Sequence, residues 1–163
     1  MIKTFSILFL FCFIIGKSQV QKDISVIKYE ELENKIKNEK AEFVVVNFWS
    51  TTCAPCVKEL PHLMEVNKKF KENPNFKMLL VSLDRLNDKE KVLNFIKNKN
   101  LTPEVILLDD IKRMNTWIPR FDENWDGVIP VTLFYKNGKK VSFNNGEMSQ
   151  DELLKTINTY FKN

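Results

Sequence analysis

The apolar residues of the chain follow two alternating patterns, one typical of buried strands and the other of amphipathic helices. Short, almost continuous apolar runs predict strands that are buried on both faces, as in a parallel sheet. These runs lie at residues 44–48, 76–83 and 105–108. Between them, apolar residues recur at helical spacing and predict helices at residues 29–40, 55–71 and 87–99. Alternating strands and helices favour right-handed βαβ units and a partly parallel sheet.

The C-terminal part of the pattern predicts an antiparallel end of this sheet. Residues 136–139 read Lys-Asn-Gly-Lys, a strong hairpin sequence between an apolar strand at 131–135 and a last strand near 140–143. Ser149 and Glu152 then form a capping box for a final helix with an apolar stripe. The sheet is therefore expected to be mixed.

Three features of the pattern are less regular. Pro61 lies inside the predicted helix at 55–71 and is expected to kink it. Asn87 with Glu90 predicts the N-terminal cap of the following helix. Residues 109–126 predict a short helix and a long loop, whose aromatic residues either pack on one another or form a lid or docking surface.

Length and the first residues predict one exported domain. A chain of 163 residues with 44% hydrophobic content can bury a core of its own. Lys3 precedes an apolar run at residues 5–15, and small residues at Gly16 and Ser18 suit a cleavage site before Gln19. The run is much shorter than the roughly 20 residues that span a bilayer. We therefore expect a signal peptide at residues 1–18 and a domain at residues 19–163.

Charge and cysteine count narrow the function of the exported domain. Removal of residues 1–18 takes away Lys3, Lys17 and Cys12, so 23 basic and 21 acidic residues remain and the net charge falls from +4 to +2. This balance argues against a nucleic-acid partner. The remaining Cys53 and Cys56 are expected to form a disulfide in an oxidising compartment. A disulfide that closes so short a loop adds little stability, so a redox role explains the cysteine pair better.

The spacing of the two cysteines suits dithiol chemistry at the start of a helix. Pro55 fits the first helical turn, so Cys53 would lie at the helix N-terminus, where the dipole lowers the pKa of its thiol. Cys53 is thus the expected nucleophile, and Cys56, one turn on, the resolving cysteine. A structural zinc site usually needs four Cys or His ligands, and the domain offers only His62 besides the two cysteines. A c-type haem site needs histidine directly after the second cysteine, where this chain has Val57. No metal or other cofactor is expected.

Residues 47–61 carry a resemblance to a known family. They read Asn-Phe-Trp-x-x-x-Cys-x-Pro-Cys-x-x-Glu-x-Pro, which resembles the signature of the TlpA/ResA-like branch of the thioredoxin superfamily. Cytochrome c maturation reductases of the bacterial envelope belong to the same branch. Ile129-Pro130 before a strand, and the Asn-Gly hairpin, match as well. The resemblance implies an α/β thioredoxin fold, a central mixed β-sheet flanked by helices, with a helix–strand insertion before a cis-proline.

The resemblance also implies roles for residues around the cysteines. Glu59 would be a buried acid with a raised pKa that exchanges protons with Cys56. Pro130 would be the cis-proline facing the disulfide, and the backbone of Ile129 would pair with a bound substrate chain. Trp49 would be an aromatic residue at the substrate site, although a core position at the end of a strand explains it equally well.

Two residues depart from the family pattern. Asn47 stands where thioredoxins proper have a buried aspartate, so any proton relay would depend on Glu59. Thr52 replaces the tryptophan that is usual before the first cysteine, which leaves the local surface and the choice of partner open.

The predicted function is that of an envelope thiol-disulfide oxidoreductase, more specifically a protein disulfide reductase. Its partners would be protein disulfides or dithiols and a membrane electron donor, and the protein would act as a monomer. One alternative is a peroxidase of the peroxiredoxin class, but its pattern needs proline at position 46, where Val46 stands. Another is a copper(I) metallochaperone that binds the metal through both thiolates.

Overall fold

The structure, a computed structural model, describes residues 23–161, which form one mixed β-sheet covered by helices on both faces. The strands are β1 (Ser25–Ile27), β2 (Phe43–Trp49), β3 (Phe76–Ser82), β4 (Glu104–Leu108), β5 (Val131–Lys136) and β6 (Lys139–Asn145). Their spatial order is β1-β4-β3-β2-β5-β6. The first four strands run parallel, and β5 and β6 are antiparallel to their neighbours. The predicted strands and the mixed sheet are confirmed.

Within residues 23–161, four α-helices lie between these strands and a fifth follows β6. They are α1 (Tyr29–Lys37), α2 (Ala54–Phe70), α3 (Lys89–Lys99), α4 (Met114–Phe121) and α5 (Gln150–Tyr160). The predicted capping box is confirmed, since Ser149 Oγ accepts from the backbone N–H of Glu152 at 3.3 Å and the Glu152 carboxylate accepts from Ser149 N–H at 2.8 Å. Helix α2 continues through Pro61 as one helix. The predicted helix–strand insertion corresponds to α3 and β4.

The predicted cap of α3 is wrong. Asn87 lies inside a single 3₁₀ turn, Leu86–Asp88, through which the chain enters the helix. Asp88 therefore precedes α3, and its side chain makes no capping hydrogen bond. The Asn-x-x-Glu spacing is common to a cap and to a turn, so the local pattern did not distinguish them.

Two separate cores lie on the two faces of the sheet. One is shared with α2, α3 and α5, and the other with α1 and α4. Alternate residues of β2 enter the two cores, as Val45 and Trp49 do on one face and Val46 and Phe48 on the other. All seven residues of β2 are buried, which explains why its sequence shows no alternation of apolar and polar residues.

The segment at 109–126 packs its aromatic residues against the sheet. Trp117 is 1% exposed and stacks on Phe48, with ring centroids 6.4 Å apart. Trp125 is also buried, 4.8 Å from the same ring. Both tryptophans therefore belong to the second core, as the packing alternative predicted.

The predicted signal peptide at residues 1–18 lies outside the described residues. Within residues 23–161, no helix has the length and apolar character needed to cross a membrane.

Candidate active site

The two cysteines form a disulfide at the N-terminus of α2. Cys53 is the residue that precedes the helix, in extended conformation, and Pro55 occupies the first turn. The Cα atoms of Cys53 and Cys56 are 5.3 Å apart. Cys53 is partly exposed, whereas Cys56 is only 1% exposed. A partner molecule can therefore reach the sulfur of Cys53 but not that of Cys56.

The loop before β5 brings a cis-proline next to this disulfide. The Ile129–Pro130 peptide bond is cis, as the resemblance implied. Val131 of β5 pairs with Phe48 of β2, so the loop ends at the same edge of the sheet as the cysteines. The carbonyl oxygen of Ile129 lies 3.6 Å from Cys53 Sγ. Two segments 76 residues apart in sequence thus meet at the exposed sulfur.

Glu59 lies one helical turn after Cys56 and is fully buried. Its carboxylate accepts hydrogen bonds from Asn47 Nδ2 at 3.2 Å and from the backbone N–H of Met148 at 3.0 Å. Loss of water on burial raises the pKa of Glu59 to about 7, the two donors lower it in part, and the nearby Glu147 carboxylate raises it. Such a group can take up and release a proton near neutral pH.

Asn47 joins Glu59 to the neighbouring strand. Besides Glu59, its Nδ2 donates to Thr132 Oγ1 at 3.0 Å, while its Oδ1 is buried without a hydrogen-bond partner. Thr132 and Met148 were not predicted, because they come from β5 and from the loop before α5. Only the packing of these elements on α2 brings them to the carboxylate, and no local sequence signal marks them.

The structure does not place Trp49 at the substrate surface. Its side chain is fully buried on the face of the sheet that α2 and α3 cover, 5.3 Å from the ring of Phe95. The prediction of a substrate-contacting tryptophan is therefore wrong for this structure, and the core alternative is correct. Successive side chains of a strand point to opposite faces of the sheet, and in β2 this alternation directs its last residue, Trp49, into the first core.

Asp84 holds the loop that leads into the cysteines. Its carboxylate accepts from the backbone N–H of Thr51 at 2.9 Å, from Thr51 Oγ1 at 2.7 Å and from Ser50 Oγ at 3.2 Å. Asp84 is 6% exposed, whereas Thr52, beside Cys53, is exposed. Sequence reasoning missed Asp84, although an acid two residues after a parallel strand that neighbours the cysteine strand was a usable signal.

The described part of the chain adds no further metal ligands to the two sulfurs. Residues 23–161 hold no group of three or more His, Cys, Asp or Glu side chains placed to bind an ion. The reactive groups of the site are therefore the accessible sulfur of Cys53, the buried sulfur of Cys56 and the buried carboxyl group of Glu59.

The fold and the site define a thioredoxin-like protein with a Cys-x-x-Cys disulfide. The model of the "Thioredoxin-like" family matches residues 40–117. A thiol-disulfide oxidoreductase ResA of Bacillus cereus is 30% identical over 141 residues, covering 84% of this chain and 76% of the relative. The ResA of Bacillus subtilis is 28% identical over 120 residues, covering 73% and 62%. The chain belongs to the ResA family of thiol-disulfide oxidoreductases.

Solved structures show the same fold at lower sequence identity. StoA from Bacillus subtilis aligns with a TM-score of 0.55 and 23% identity, covering 72% of this chain and 84% of its own. A DsbF homologue from Corynebacterium diphtheriae aligns with a TM-score of 0.63 and 22% identity, covering 76% and 75%. These likenesses confirm the thioredoxin fold.

Proposed function

We propose that the protein is an exported disulfide reductase that acts on other proteins, with Cys53 as the nucleophile. The observation that carries this proposal is the difference in exposure between the two cysteines. Cys53 is accessible beside the Ile129 carbonyl, and Cys56 is buried one turn from Glu59. The helix N-terminus stabilises the thiolate of Cys53 in the reduced protein.

The reaction proceeds by two thiol–disulfide exchanges. The Cys53 thiolate attacks one sulfur of a substrate disulfide, so a mixed disulfide forms and the other substrate sulfur leaves as a thiolate. The Cys56 thiol then gives its proton to the Glu59 carboxylate and attacks Cys53 Sγ. The second substrate sulfur leaves and takes up a proton. Each substrate thiolate takes up a proton, one from Glu59 and one from water, so the substrate gains two electrons and two protons and the protein ends in the disulfide form.

The backbone at the cis-proline is the proposed docking point for the substrate chain. The Ile129 carbonyl lies 3.6 Å from the attacking sulfur, so a substrate segment beside Ile129 and Pro130 would lie next to Cys53. Trp49 takes no part, because it is fully buried.

The cellular setting follows from the predicted signal peptide and from the family. We place the mature protein in the envelope, as a monomer, where a membrane electron donor returns it to the dithiol form. Apocytochrome c, whose paired thiols must be reduced before haem is attached, is the substrate class that the TlpA/ResA-like branch suggests. Nucleic acid has no role in this proposal.

Replacement of the resolving cysteine tests the proposal directly. Cys56→Ser should accumulate mixed disulfides with envelope proteins, because the second exchange cannot occur. Cys53→Ser is the matched control and should trap none, since the remaining sulfur is buried. The trapped species are measured on non-reducing gels and identified by mass spectrometry. Trapping by Cys53→Ser, or by neither variant, would contradict the assignment of Cys53 as nucleophile.

A further inference from the structure

The large apolar side chains that residues 23–161 leave exposed lie at one edge of the sheet. They are Val128 (60% exposed), Leu86 (45%) and Ile111 (40%). Val128 precedes the cis-proline loop, Leu86 follows β3 and Ile111 follows β4, so all three lie at the edge where β2 leads into the disulfide. Exposed apolar groups along the edge that carries the reactive site indicate a surface for a partner molecule.

Leu86 and Ile111 line a crevice of about 680 Å³ at this edge. After β3 the chain continues into α3 on the first face of the sheet, and after β4 into α4 on the second face. The chain segments that follow β3 and β4 therefore leave toward opposite faces of the sheet. In α/β proteins, ligands commonly bind in the crevice that opens between two such neighbouring strands. The crevice has the location of a binding site, and Leu86 and Ile111 give it an apolar part among charged residues.

The charged groups of the crevice leave two cations without partners. Asp109 is paired with Lys28 at 2.8 Å, and Asp110 with Arg113 at 2.5 Å. Arg85 and Lys112 are exposed and make no ion pair within the described residues. A ligand that complements this lining carries negative charge around an apolar group.

The crevice is joined to the redox site by a short path along the edge. Arg85 follows Asp84, whose carboxylate holds Thr51 in the loop before Cys53. In the sheet, β3 is the neighbour of β2 and β4 is the next strand along. The midpoint between β3 and β4 is therefore about 7 Å from β2, one and a half times the distance between neighbouring strands. An extended polypeptide covers this distance in about two to three residues.

We propose that this crevice binds a second segment of the substrate protein, one with an apolar side chain flanked by acidic residues close to the disulfide. The proposal rests on the proposed function, because the bound segment belongs to the chain that Cys53 attacks. Val128 and Ile129 contact the chain at the disulfide, Leu86 and Ile111 receive the apolar side chain, and Arg85 and Lys112 pair with its acidic neighbours.

Two disulfide peptides that differ only in charge test this selectivity. Both carry a fluorophore released on reduction, with either Asp-Leu-Asp or Asn-Leu-Asn placed three to five residues from the cysteine. The reduced protein should have a kcat/KM about tenfold higher for the acidic peptide, through KM, because two exposed ion pairs would each strengthen binding about threefold. This preference should shrink at about 1 M salt, where the Debye length is about 3 Å.

Charge reversal locates the selectivity on the protein. Arg85→Glu with Lys112→Glu should abolish or reverse the preference for the acidic peptide. Lys68→Glu with Lys155→Glu makes the same change of charge at exposed positions on α2 and α5, and should keep the preference. Equal kcat/KM for both peptides in the unaltered protein, or an equal loss in both double variants, overturns the proposal.

A binding measurement separates this proposal from the proposed function. A cysteine-free peptide with the Asp-Leu-Asp segment is titrated against the protein and followed by fluorescence anisotropy. If the peptide binds the unaltered protein but not the Arg85→Glu, Lys112→Glu variant, the crevice proposal is supported, whether or not the disulfide peptides are reduced. A failure to reduce either disulfide peptide would count against the reductase proposal alone. Absence of binding, together with efficient but unselective reduction, overturns the crevice alone.

Discussion

The side chain of Glu59 shows how strongly a fold can change the chemistry of one residue. Glutamate is rarely buried without a charged partner, yet Glu59 is fully buried, and among residues 23–161 its hydrogen-bond donors are an amide N–H of Asn47 and the backbone N–H of Met148. These donors offset part of the lost hydration, and the pKa remains raised to about 7. The group is therefore poised between its two protonation states at neutral pH.

The raised pKa of Glu59 predicts a pH-dependent stability. A carboxyl group that binds its proton more tightly in the folded state contributes stability that is fully present below pH 4.5 and is lost as pH rises through about 7. We expect the free energy of unfolding of the oxidised protein to fall by about 3 kcal/mol from this group between pH 4.5 and pH 8. Glu59→Gln should remove most of this loss, as measured by urea denaturation at several pH values.

Glu65 provides the control for this prediction, because it lies on the same helix and is exposed. Glu65→Gln should leave the pH profile as it is. A profile of Glu59→Gln that runs parallel to that of the unaltered protein would show that Glu59 does not titrate in this range.

At the scale of elements, the hairpin between β5 and β6 is the best example of a local sequence that specifies its own structure. Asn137 and Gly138 both have positive φ, 49° and 72°, as a two-residue turn of this kind requires. The turn also packs on α1, since a Cβ atom at Gly138 would lie 3.1 Å from the backbone oxygen of Lys37. The glycine thus serves both the turn and the close approach of a helix.

The two demands on Gly138 predict a larger cost for its replacement than for that of another glycine. Gly138→Ala should lower the free energy of unfolding by about 2–3 kcal/mol, since the left-handed conformation costs about 1–2 kcal/mol for alanine and the contact with Lys37 adds to it. Gly146, with φ of 106° and no atom within 4 Å of its Cβ position, is the matched control. Gly146→Ala should show the conformational cost alone, and equal losses in urea denaturation would argue against the contact with Lys37.

At the scale of the whole molecule, the sheet divides the protein into a redox side and a supporting side. The disulfide lies at the N-terminus of α2 and Glu59 lies within that helix, both beside the first core, whereas α1 and α4 close the second core. Trp117 is central to that second core, where it contacts Phe48, Phe121 and Trp125 and donates through Nε1 to the Asp110 carbonyl at 2.8 Å. The buried aromatic residues Trp117, Phe121 and Trp125 therefore act through stability.

This division predicts that truncation of Trp117 weakens the fold without a direct effect on the reaction. Trp117→Ala should lower the free energy of unfolding by about 3–5 kcal/mol, and Trp117→Phe, which keeps an aromatic ring, by clearly less. Urea denaturation gives both values. Peptide reduction by the folded fraction should keep its KM, so a KM change in Trp117→Phe would instead indicate that Trp117 itself takes part in substrate binding.

The local sequence determined much of this protein, and packing decided the rest. Strands β2 to β6, the hairpin, the cap at Ser149 and the pairing of Cys53 with Cys56 depend on neighbours within a few residues, so patterns of spacing predicted them. The short strand β1 was not predicted. The α3 cap was mistaken, because one short pattern serves both a cap and a turn.

Only the tertiary structure decided which groups surround the disulfide. Met148, Thr132 and Asp84 reach the site from other elements, and the alternation of β2 directs Trp49 into the core. The crevice between β3 and β4 arises where connections leave on opposite faces of the sheet. These features depend on how distant segments meet, and short-range sequence patterns contain no information about that meeting.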